Sequence, residues 1–263
     1  LLAGAGRSGA IGPELAVAAR LGLAMLGFQV SIGALNDLSD IELDRARKPG
    51  KPLPRGAVQP AGAIILAVAG LALGIGLSVP SGPVTIAVGV AGAALGYAYD
   101  LGLSRTRWSW LPLAAALPLL PTYAWIGATG VLPTDVILLI PIGVVAGIVL
   151  ALANGIADEE RDRDAGVDTA VVRLGRGRAW IVHLVGLAAV IAAAALLAPR
   201  PALGSGGEAW GGAVGLGAVL ALAGLALAAA PAASLRERGW ELESLGLALV
   251  GVAWLAGVAV STP

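Results

Sequence analysis

The stretch Asn-Asp-Leu-Ser-Asp-Ile-Glu-Leu-Asp-Arg, residues 36–45, ends a long apolar segment and carries polar side chains at a spacing of four. On a helix, residues four apart lie on one face, with Cβ atoms about 5–6 Å apart. Asn36, Asp40 and Asp44 therefore predict one polar stripe. Because the stripe follows an apolar segment, it points to a site at the edge of a membrane.

A second copy of this pattern, Asn-Gly-Ile-Ala-Asp-Glu-Glu-Arg-Asp-Arg at residues 154–163, ends another apolar segment. Both copies read N-x-x-x-D-x-x-x-D-R, so Asn154, Asp158 and Asp162 predict a second stripe. One acidic loop alone would be a solvated helix end. Two matched copies favour a functional role, since acidic side chains near a membrane are costly. Facing each other, the stripes would bind hard divalent cations, which prefer oxygen ligands.

The composition indicates a membrane protein. Of the 263 residues, 57% are hydrophobic and only 13% are charged, whereas about a quarter are charged in soluble domains. The formal net charge is zero, which gives no support for a nucleic-acid partner. The absence of cysteine excludes disulfides, thiolate metal sites and a cysteine nucleophile.

Several segments approach the length of about 20 apolar residues that a spanning helix needs. They are residues 14–38, 61–79, 83–99, 110–128, 134–156, 178–198, 210–231 and 244–260. Residues 1–10 are too short to span but could end a helix that begins upstream. We therefore predict an all-α, polytopic transmembrane bundle with eight visible spans. Residues 1–263 would form a single domain whose two halves each carry one acidic motif.

The number of lysine and arginine residues alternates between high and low from one loop to the next. The loops at 39–60, 100–109 and 157–177 hold five, two and four of them, whereas those at 80–82 and 129–133 hold none. Cytoplasmic loops carry an excess of these residues. The pattern predicts a multi-pass protein, in the plasma membrane, with both acidic motifs on the cytoplasmic side.

Basic residues follow the first motif within a proline-rich segment. Lys51 and Arg55 lie in the sequence Lys-Pro-Leu-Pro-Arg-Gly, residues 51–56. Carboxylates alone would hold only a metal ion. Carboxylates beside lysine and arginine indicate Mg²⁺ clamped on phosphate oxygens, with the basic groups neutralising the remaining charge. A diphosphate neutralised in this way becomes a good leaving group.

These motifs resemble those of the UbiA superfamily of intramembrane prenyltransferases. The family's first motif, N-D-x-x-D-x-x-x-D, matches residues 36–44, and its second, D-x-x-x-D, matches residues 158–162. Residues 51–56 are similar to its R-P-[LI]-P-x-G segment. The resemblance implies nine transmembrane helices around a central cavity, the first of them absent here or reduced to residues 1–10. It also implies Mg²⁺-dependent ionisation of a polyprenyl diphosphate and capture of the allylic cation by a small acceptor.

The expected site residues come from the two motifs and the basic segments. The predicted catalytic carboxylates, which with Asn36 are also the predicted metal ligands, are Asp40, Asp44, Asp158 and Asp162. The predicted substrate-binding residues are Asn36, Asp37, Lys51, Arg55, Tyr99, Arg105 and Asn154. The expected cofactor is Mg²⁺, and the expected partners are a polyprenyl diphosphate, a small acceptor and the lipid bilayer.

The sequence departs from the family pattern at two places. Gly155 stands where the first motif has Asp37, and Ser104 stands where the family often has a lysine. Arg105 either replaces that lysine or is a loop charge that sets topology. Tyr99 either contacts the cation or the phosphate, or belongs to an aromatic belt at the membrane interface.

Four residues outside the motifs also carry expectations. The only histidine, His183, is expected to be packed or at the lipid interface. Arg20 is expected to snorkel towards the opposite membrane face. Arg173 and Arg176 are expected to set topology, with a minor role towards phosphate.

Two other functions remain open from the sequence. A terpene cyclase on the same scaffold would capture the cation within its own substrate. A cation transporter would use the acidic stripes as an ion path, although carrier sites tend to lie at the bilayer midplane. The acceptor of a transferase could be a quinone-ring precursor, a chlorophyll-like pigment, a glycerol phosphate or a sugar phosphate.

Overall fold

The structure, a computed structural model, describes residues 13–199 and 207–261. These residues form helices and connecting turns without any strand, which confirms the all-α prediction. The predicted tail of an upstream helix at residues 1–10 lies outside the described ranges.

The helices follow one another with short connections. In chain order they are α1 (Pro13–Ser39), α2 (Ile41–Arg47), α3 (Pro60–Ser78), α4 (Pro83–Asp100), α5 (Leu111–Ala116), α6 (Leu119–Thr129), α7 (Thr134–Asp164), α8 (Ala170–Leu174), α9 (Arg176–Leu197), α10 (Gly207–Ala228) and α11 (Ala233–Ser261). Short 3₁₀ turns occur at Val79–Ser81 and Leu103–Arg105.

Within the described part, seven stretches are long and apolar enough to cross a membrane. They are Glu14–Ser39, Pro60–Ser81, Leu111–Thr129, Thr134–Asp164, Arg176–Leu197, Gly207–Ala228 and Ala233–Val260. The remaining predicted span, residues 83–99, is the helix α4, which is not among these seven. Its end, Tyr-Ala-Tyr-Asp, lowers its hydropathy. The chain is a multi-pass integral membrane protein.

The chain divides into two compact units. The first contains the described residues up to Ala93 together with Tyr123–Val131, and the second contains Ala94–Thr122 and the described residues from Leu132 onward. The first acidic motif belongs to the first unit, and the second motif belongs to the second.

In the first unit, α1 packs directly against α3 through glycines. A Cβ atom at Gly27 would lie 2.8 Å from the carbonyl oxygen of Gly70, and one at Gly70 would lie 2.7 Å from the carbonyl oxygen of Gly27. Small residues permit this close approach of backbones, which is typical of helix pairs in membranes. The pairing holds α1, whose last turn begins the first acidic motif.

Arg20 in α1 takes part in the same packing. Its guanidinium donates to the Leu77 carbonyl oxygen, and also to the Ser81 hydroxyl at 2.7 Å. Arg20 thus contacts the end of α3 and the turn that follows it. Its snorkelling towards the opposite membrane face stays a prediction.

In the second unit, α7 packs against α5, α8, α9 and α11. Its side chains Val149 and Leu150 pack in one buried cluster with Leu187 of α9, Leu225 of α10 and Leu247 of α11. α7 then continues past this cluster to Asp164. The helix at the centre of the unit's core therefore also carries the second acidic motif.

A buried histidine–glutamate pair, His183 and Glu243, joins α9 to α11. The Nε2 atom of His183 lies 2.8 Å from both carboxylate oxygens of Glu243, and neither side chain is exposed. The expectation that His183 is packed is confirmed, in place of a lipid-interface position. A buried carboxylate without a partner is costly, so the pair links the two helices.

We expect His183→Leu to destabilise the protein by about 3–5 kcal/mol, because it removes the hydrogen-bond partner of a buried carboxylate. The double variant His183→Leu/Glu243→Leu should regain most of that loss, since apolar replacement of a buried pair is close to neutral. Thermal unfolding in detergent measures both, with Val182→Ala as the lipid-exposed control. A double variant less stable than His183→Leu would contradict this account.

Candidate functional site

The first acidic motif crosses a break between two helices. α1 ends at Ser39 and α2 begins at Ile41, with Asp40 between them at φ −98° and ψ 5°. The Ser39 hydroxyl bonds back to the Asn36 carbonyl oxygen at 2.9 Å, a local bond that competes with the helix. The helix is therefore interrupted at Asp40, within the predicted stripe.

The spacing of four nevertheless survives the break. The Asp40 N–H donates to the Asn36 carbonyl oxygen at 3.0 Å, and the Asp44 N–H donates to the Asp40 carbonyl oxygen at 2.7 Å. These are helix-type hydrogen bonds between residues four apart. Asn36, Asp40 and Asp44 thus remain successive along one hydrogen-bonded path, although the backbone turns between them.

Lys51 lies against the carboxylates of this motif. Its ammonium is 2.8 Å from Oδ1 of Asp37 and 2.6 Å from Oδ2 of Asp44, whose side chain is nearly buried. Burial by itself would lower the pKa of Lys51, but hydrogen bonds to the two carboxylates and their attraction raise it above its ordinary value. Lys51 is therefore fully charged at neutral pH and neutralises part of the motif.

A compact turn holds Lys51 in this position. The Arg55 N–H donates to the Lys51 carbonyl oxygen at 3.2 Å, and the Ala57 N–H donates to the Pro52 carbonyl oxygen at 2.9 Å. Leu53, at the middle of the turn, is buried. Proline restricts the backbone on both sides of Leu53. The turn therefore fixes the lysine, and it leaves Arg55 exposed at its end.

The second acidic motif lies wholly within α7, as predicted. Asn154, Asp158 and Asp162 are half-buried there. The side chain of Tyr99, from the end of α4, hydrogen-bonds to Asn154, and both carboxylates act on it electrostatically. The structure thus brings four predicted site residues together in the second unit. Arg161 pairs with Asp158 at 3.0 Å.

The glycine in the second motif has a packing cause. A Cβ atom at Gly155 would lie 2.6 Å from the Cγ2 atom of Val171, a buried residue of α8. An aspartate, as at the equivalent Asp37 of the first motif, would displace that side chain. The second motif therefore lacks one carboxylate of the first, and the glycine in its place allows close contact with α8.

Two acids of the second motif were not among the predicted site residues. Glu159 is buried and pairs with Arg163 and Arg176, while Glu160 pairs with Arg176 and Arg236. Arg176 is thus an ion-pair partner of α7, and the role expected for it, in setting topology with a minor phosphate function, stays a prediction. The signal in the sequence is the Asp-Glu-Glu-Arg-Asp run, but nothing in it identifies partners many residues away.

The other predicted basic residues lie near the surface. Arg105 is exposed in its 3₁₀ turn. Arg173 makes a two-pronged pair with Asp168, at 2.7 and 2.6 Å, which lowers the pKa of Asp168 and raises the pKa of Arg173. The neighbouring Thr169 caps α8 by accepting from the Val172 N–H. Arg173 thus joins α8 to the residues that precede it.

The donor atoms fit a hard divalent cation. Among the described residues, no group of three or more histidine, aspartate or glutamate side chains converges as a complete metal site. Both motifs nevertheless offer oxygen donors alone, the ligands that Mg²⁺ prefers. In the first motif the Lys51 ammonium acts as a stand-in cation, because Asp37 and Asp44 both direct an oxygen at it.

The profile of the UbiA prenyltransferase family matches residues 1–239. A digeranylgeranylglyceryl phosphate synthase from Ignicoccus hospitalis is 34% identical over 204 residues, which cover 73% of this chain and 65% of the relative. A glycinol 4-dimethylallyltransferase from Glycine max is 30% identical over 180 residues, covering 60% of this chain and 43% of the relative. The matched regions thus span less than two thirds of these relatives.

The fold is similar to those of solved UbiA homologues. The apo structure of one from Aeropyrum pernix K1 aligns with a TM-score of 0.66 and 23% identity, covering 94% of this chain and 90% of that one. A homologue from Archaeoglobus fulgidus bound to GPP and Mg²⁺ aligns with a TM-score of 0.66 and 17% identity, covering 92% and 88%.

Because the Lys51 ammonium competes with any other cation for Asp37 and Asp44, we expect Lys51→Met to strengthen Mn²⁺ binding about tenfold in the absence of diphosphate. Electron paramagnetic resonance of free Mn²⁺ during a titration measures this affinity. Lys48→Met removes an equal charge from the same loop at an exposed position and is the control. Equal Mn²⁺ affinities for the two variants would contradict the competition.

Proposed function

The chain belongs to the UbiA prenyltransferase family, and on that premise we propose that it transfers a prenyl group from a polyprenyl diphosphate to a small acceptor within the membrane. The observation that carries the proposal is the Lys51 ammonium held by Asp37 and Asp44. Oxygen ligands for a metal ion and a cation able to meet phosphate occur there side by side. The Archaeoglobus fulgidus homologue bound to GPP and Mg²⁺ supports the same substrate class.

Both acidic motifs take part in the proposed site. The residues that would hold Mg²⁺ are Asn36, Asp40, Asp44, Asp158 and Asp162. When bound, Mg²⁺ would supply the positive charge that makes the diphosphate a good leaving group. Asp44 is buried and Asp40, Asp158 and Asp162 are half-buried, which supports this role, because partial exclusion of solvent strengthens the attraction of a carboxylate for a cation.

The remaining site residues act on the diphosphate and on the prenyl cation. Lys51, Arg55 and Arg105 would neutralise phosphate oxygens as charge develops on them. Asp37 holds the Lys51 ammonium in place for this task. The hydrogen bond between Tyr99 and Asn154 would orient the phenol, whose ring and hydroxyl can face the cation or the phosphate.

The proposed reaction breaks the bond between the first prenyl carbon and the bridging oxygen. The diphosphate leaves with the electron pair, and the positive charge spreads over the allylic carbons. A nucleophilic atom of the acceptor then forms a bond to the first prenyl carbon and loses its proton. The apolar spans provide the surroundings for a prenyl chain, and the basic loops support a site on the cytoplasmic side of the plasma membrane.

We expect Asp40→Asn and Asp158→Asn each to reduce diphosphate release from a polyprenyl diphosphate by about a hundredfold or more, since each removes a charge that would hold the metal ion. The assay uses purified protein with Mg²⁺, and size-exclusion chromatography checks that each variant is intact. Glu42→Gln, an exposed acid of the first motif paired with Arg45, is the matched control. Wild-type activity in either aspartate variant would reject a site that uses both motifs.

Product analysis distinguishes transfer from the other reactions of such a scaffold. With a panel of prenyl diphosphates and acceptors, including a glyceryl phosphate, a phenol and a chlorophyll-type pigment, mass spectrometry should detect a prenylated acceptor. Chelation of Mg²⁺ should abolish the product, and added Mg²⁺ should restore it. Diphosphate release with a cyclic hydrocarbon and no prenylated acceptor would indicate a cyclase. No release from any prenyl diphosphate would reject the enzyme proposal.

A further inference from the structure

The second acidic motif contains two acids, Glu159 and Glu160, for which the proposed function has no use. A helix turns by about 100° per residue, so Glu159 lies to one side of the stripe of Asn154, Asp158 and Asp162, and Glu160 lies on the opposite face. We propose that Arg236 is a positioning residue that holds the backbone of α7 and thereby sets the direction of the Asp158 and Asp162 carboxylates. This inference rests on the proposed function.

Arg236 lies at the start of α11 and its side chain is fully buried. Nε donates to the Ile156 carbonyl oxygen at 3.1 Å, which lies inside the motif. Nη1 donates to the carbonyl oxygens of Ala230 and Pro231, at 3.1 and 2.5 Å, and Nη2 pairs with Glu160. One guanidinium thus ties the motif's backbone and side chain to the connection between α10 and α11.

Arg176 extends the same network to α9. It contacts Glu159 at 2.7 Å and Glu160 at 2.5 Å. The buried carboxylate of Glu159 also contacts Arg163 at 2.5 Å. Glu160 is shared by Arg176 and Arg236, so the ion pairs form one continuous network across α7, α9 and α11. Burial of the two charged groups that are excluded from solvent, Glu159 and Arg236, is tolerated because each is paired and hydrogen-bonded.

The network lies at the end of the apolar core that packs along α7. Ile156 and Ala157 are buried, whereas the acids Asp158 and Asp162 are half-buried and Asp164 is exposed. Beyond the core a helix end held only by its own hydrogen bonds opens readily. Mg²⁺ requires near-octahedral geometry, so its ligands must be held closely. Outer partners that orient metal ligands typically change metal affinity or activity 10–100-fold when removed.

The test replaces Arg236 by lysine, which keeps the charge but cannot reach the Ile156 carbonyl, the Ala230–Pro231 carbonyls and Glu160 at once. We expect Arg236→Lys to weaken Mn²⁺ binding about tenfold or more, measured by electron paramagnetic resonance without substrate. We also expect it to raise, by a similar factor, the Mg²⁺ concentration that gives half-maximal diphosphate release. The matched control is Arg238→Lys, two residues further along α11, where the arginine is exposed and pairs with Glu241 at 2.7 Å.

A purely structural role has a different signature. It would lower the melting temperature and the amount of folded protein, but it would leave the Mn²⁺ dissociation constant and the half-saturating Mg²⁺ of the folded fraction unchanged. That result would overturn the inference. If Arg236→Lys does not fold, Glu160→Gln decides, because it preserves the shape and removes only the charge that Arg236 and Arg176 share. We expect it to raise both metal constants, and unchanged constants would overturn the inference.

Asp158→Asn separates this inference from the proposed function. Loss of Mn²⁺ binding in Asp158→Asn with wild-type binding in Arg236→Lys and Glu160→Gln would reject the positioning role alone. Undiminished Mn²⁺ binding in Asp158→Asn would reject the proposed metal site of the second motif, and the positioning role with it.

Discussion

The structure depends on groups that compensate the negative charge of carboxylates at the ends of membrane-spanning helices. Ionised acids are costly near a bilayer unless a cation or hydrogen-bond donors accompany them. The first motif meets this need locally, with the Lys51 ammonium between Asp37 and Asp44. In the second, arginines of α9 and α11 pair with Glu159 and Glu160, and Arg161 and Arg163 pair with acids of their own helix. Cations thus accompany the acids of both motifs, by different routes.

The difference follows from where each motif lies in its helices. The first motif bends at Asp40 into the short helix α2, and the turn after it can fold back and place Lys51 on the acids. The second motif continues a single long helix whose earlier turns form the core of its unit. A continuous helix has no turn that could fold back onto the motif, so α9 and α11 supply arginines in addition to Arg161 and Arg163 of α7 itself.

Much of the fold could be predicted because its signals are local. Apolar segments of spanning length, polar spacing of four and basic loops each depend on residues close in the chain. The features that were not predicted involve competing hydrogen bonds at one residue, or contacts between residues far apart in the chain. The break at Asp40 reflects the Ser39 bond to the Asn36 carbonyl. The span predicted at 83–99 is a helix, but its polar end lowers the hydropathy of α4.

By itself, the sequence determined the helical class, the membrane location, the two acidic motifs and the presence of a lysine beside the first. Those properties follow from composition and from spacing along a helix. Only the tertiary structure decided that His183 pairs with Glu243 and that Gly155 leaves room for the Val171 side chain. It also decided that Arg236 donates a hydrogen bond to the Ile156 carbonyl of α7. These contacts join residues far apart in the chain, and their energies depend on burial and distance, which no local pattern records.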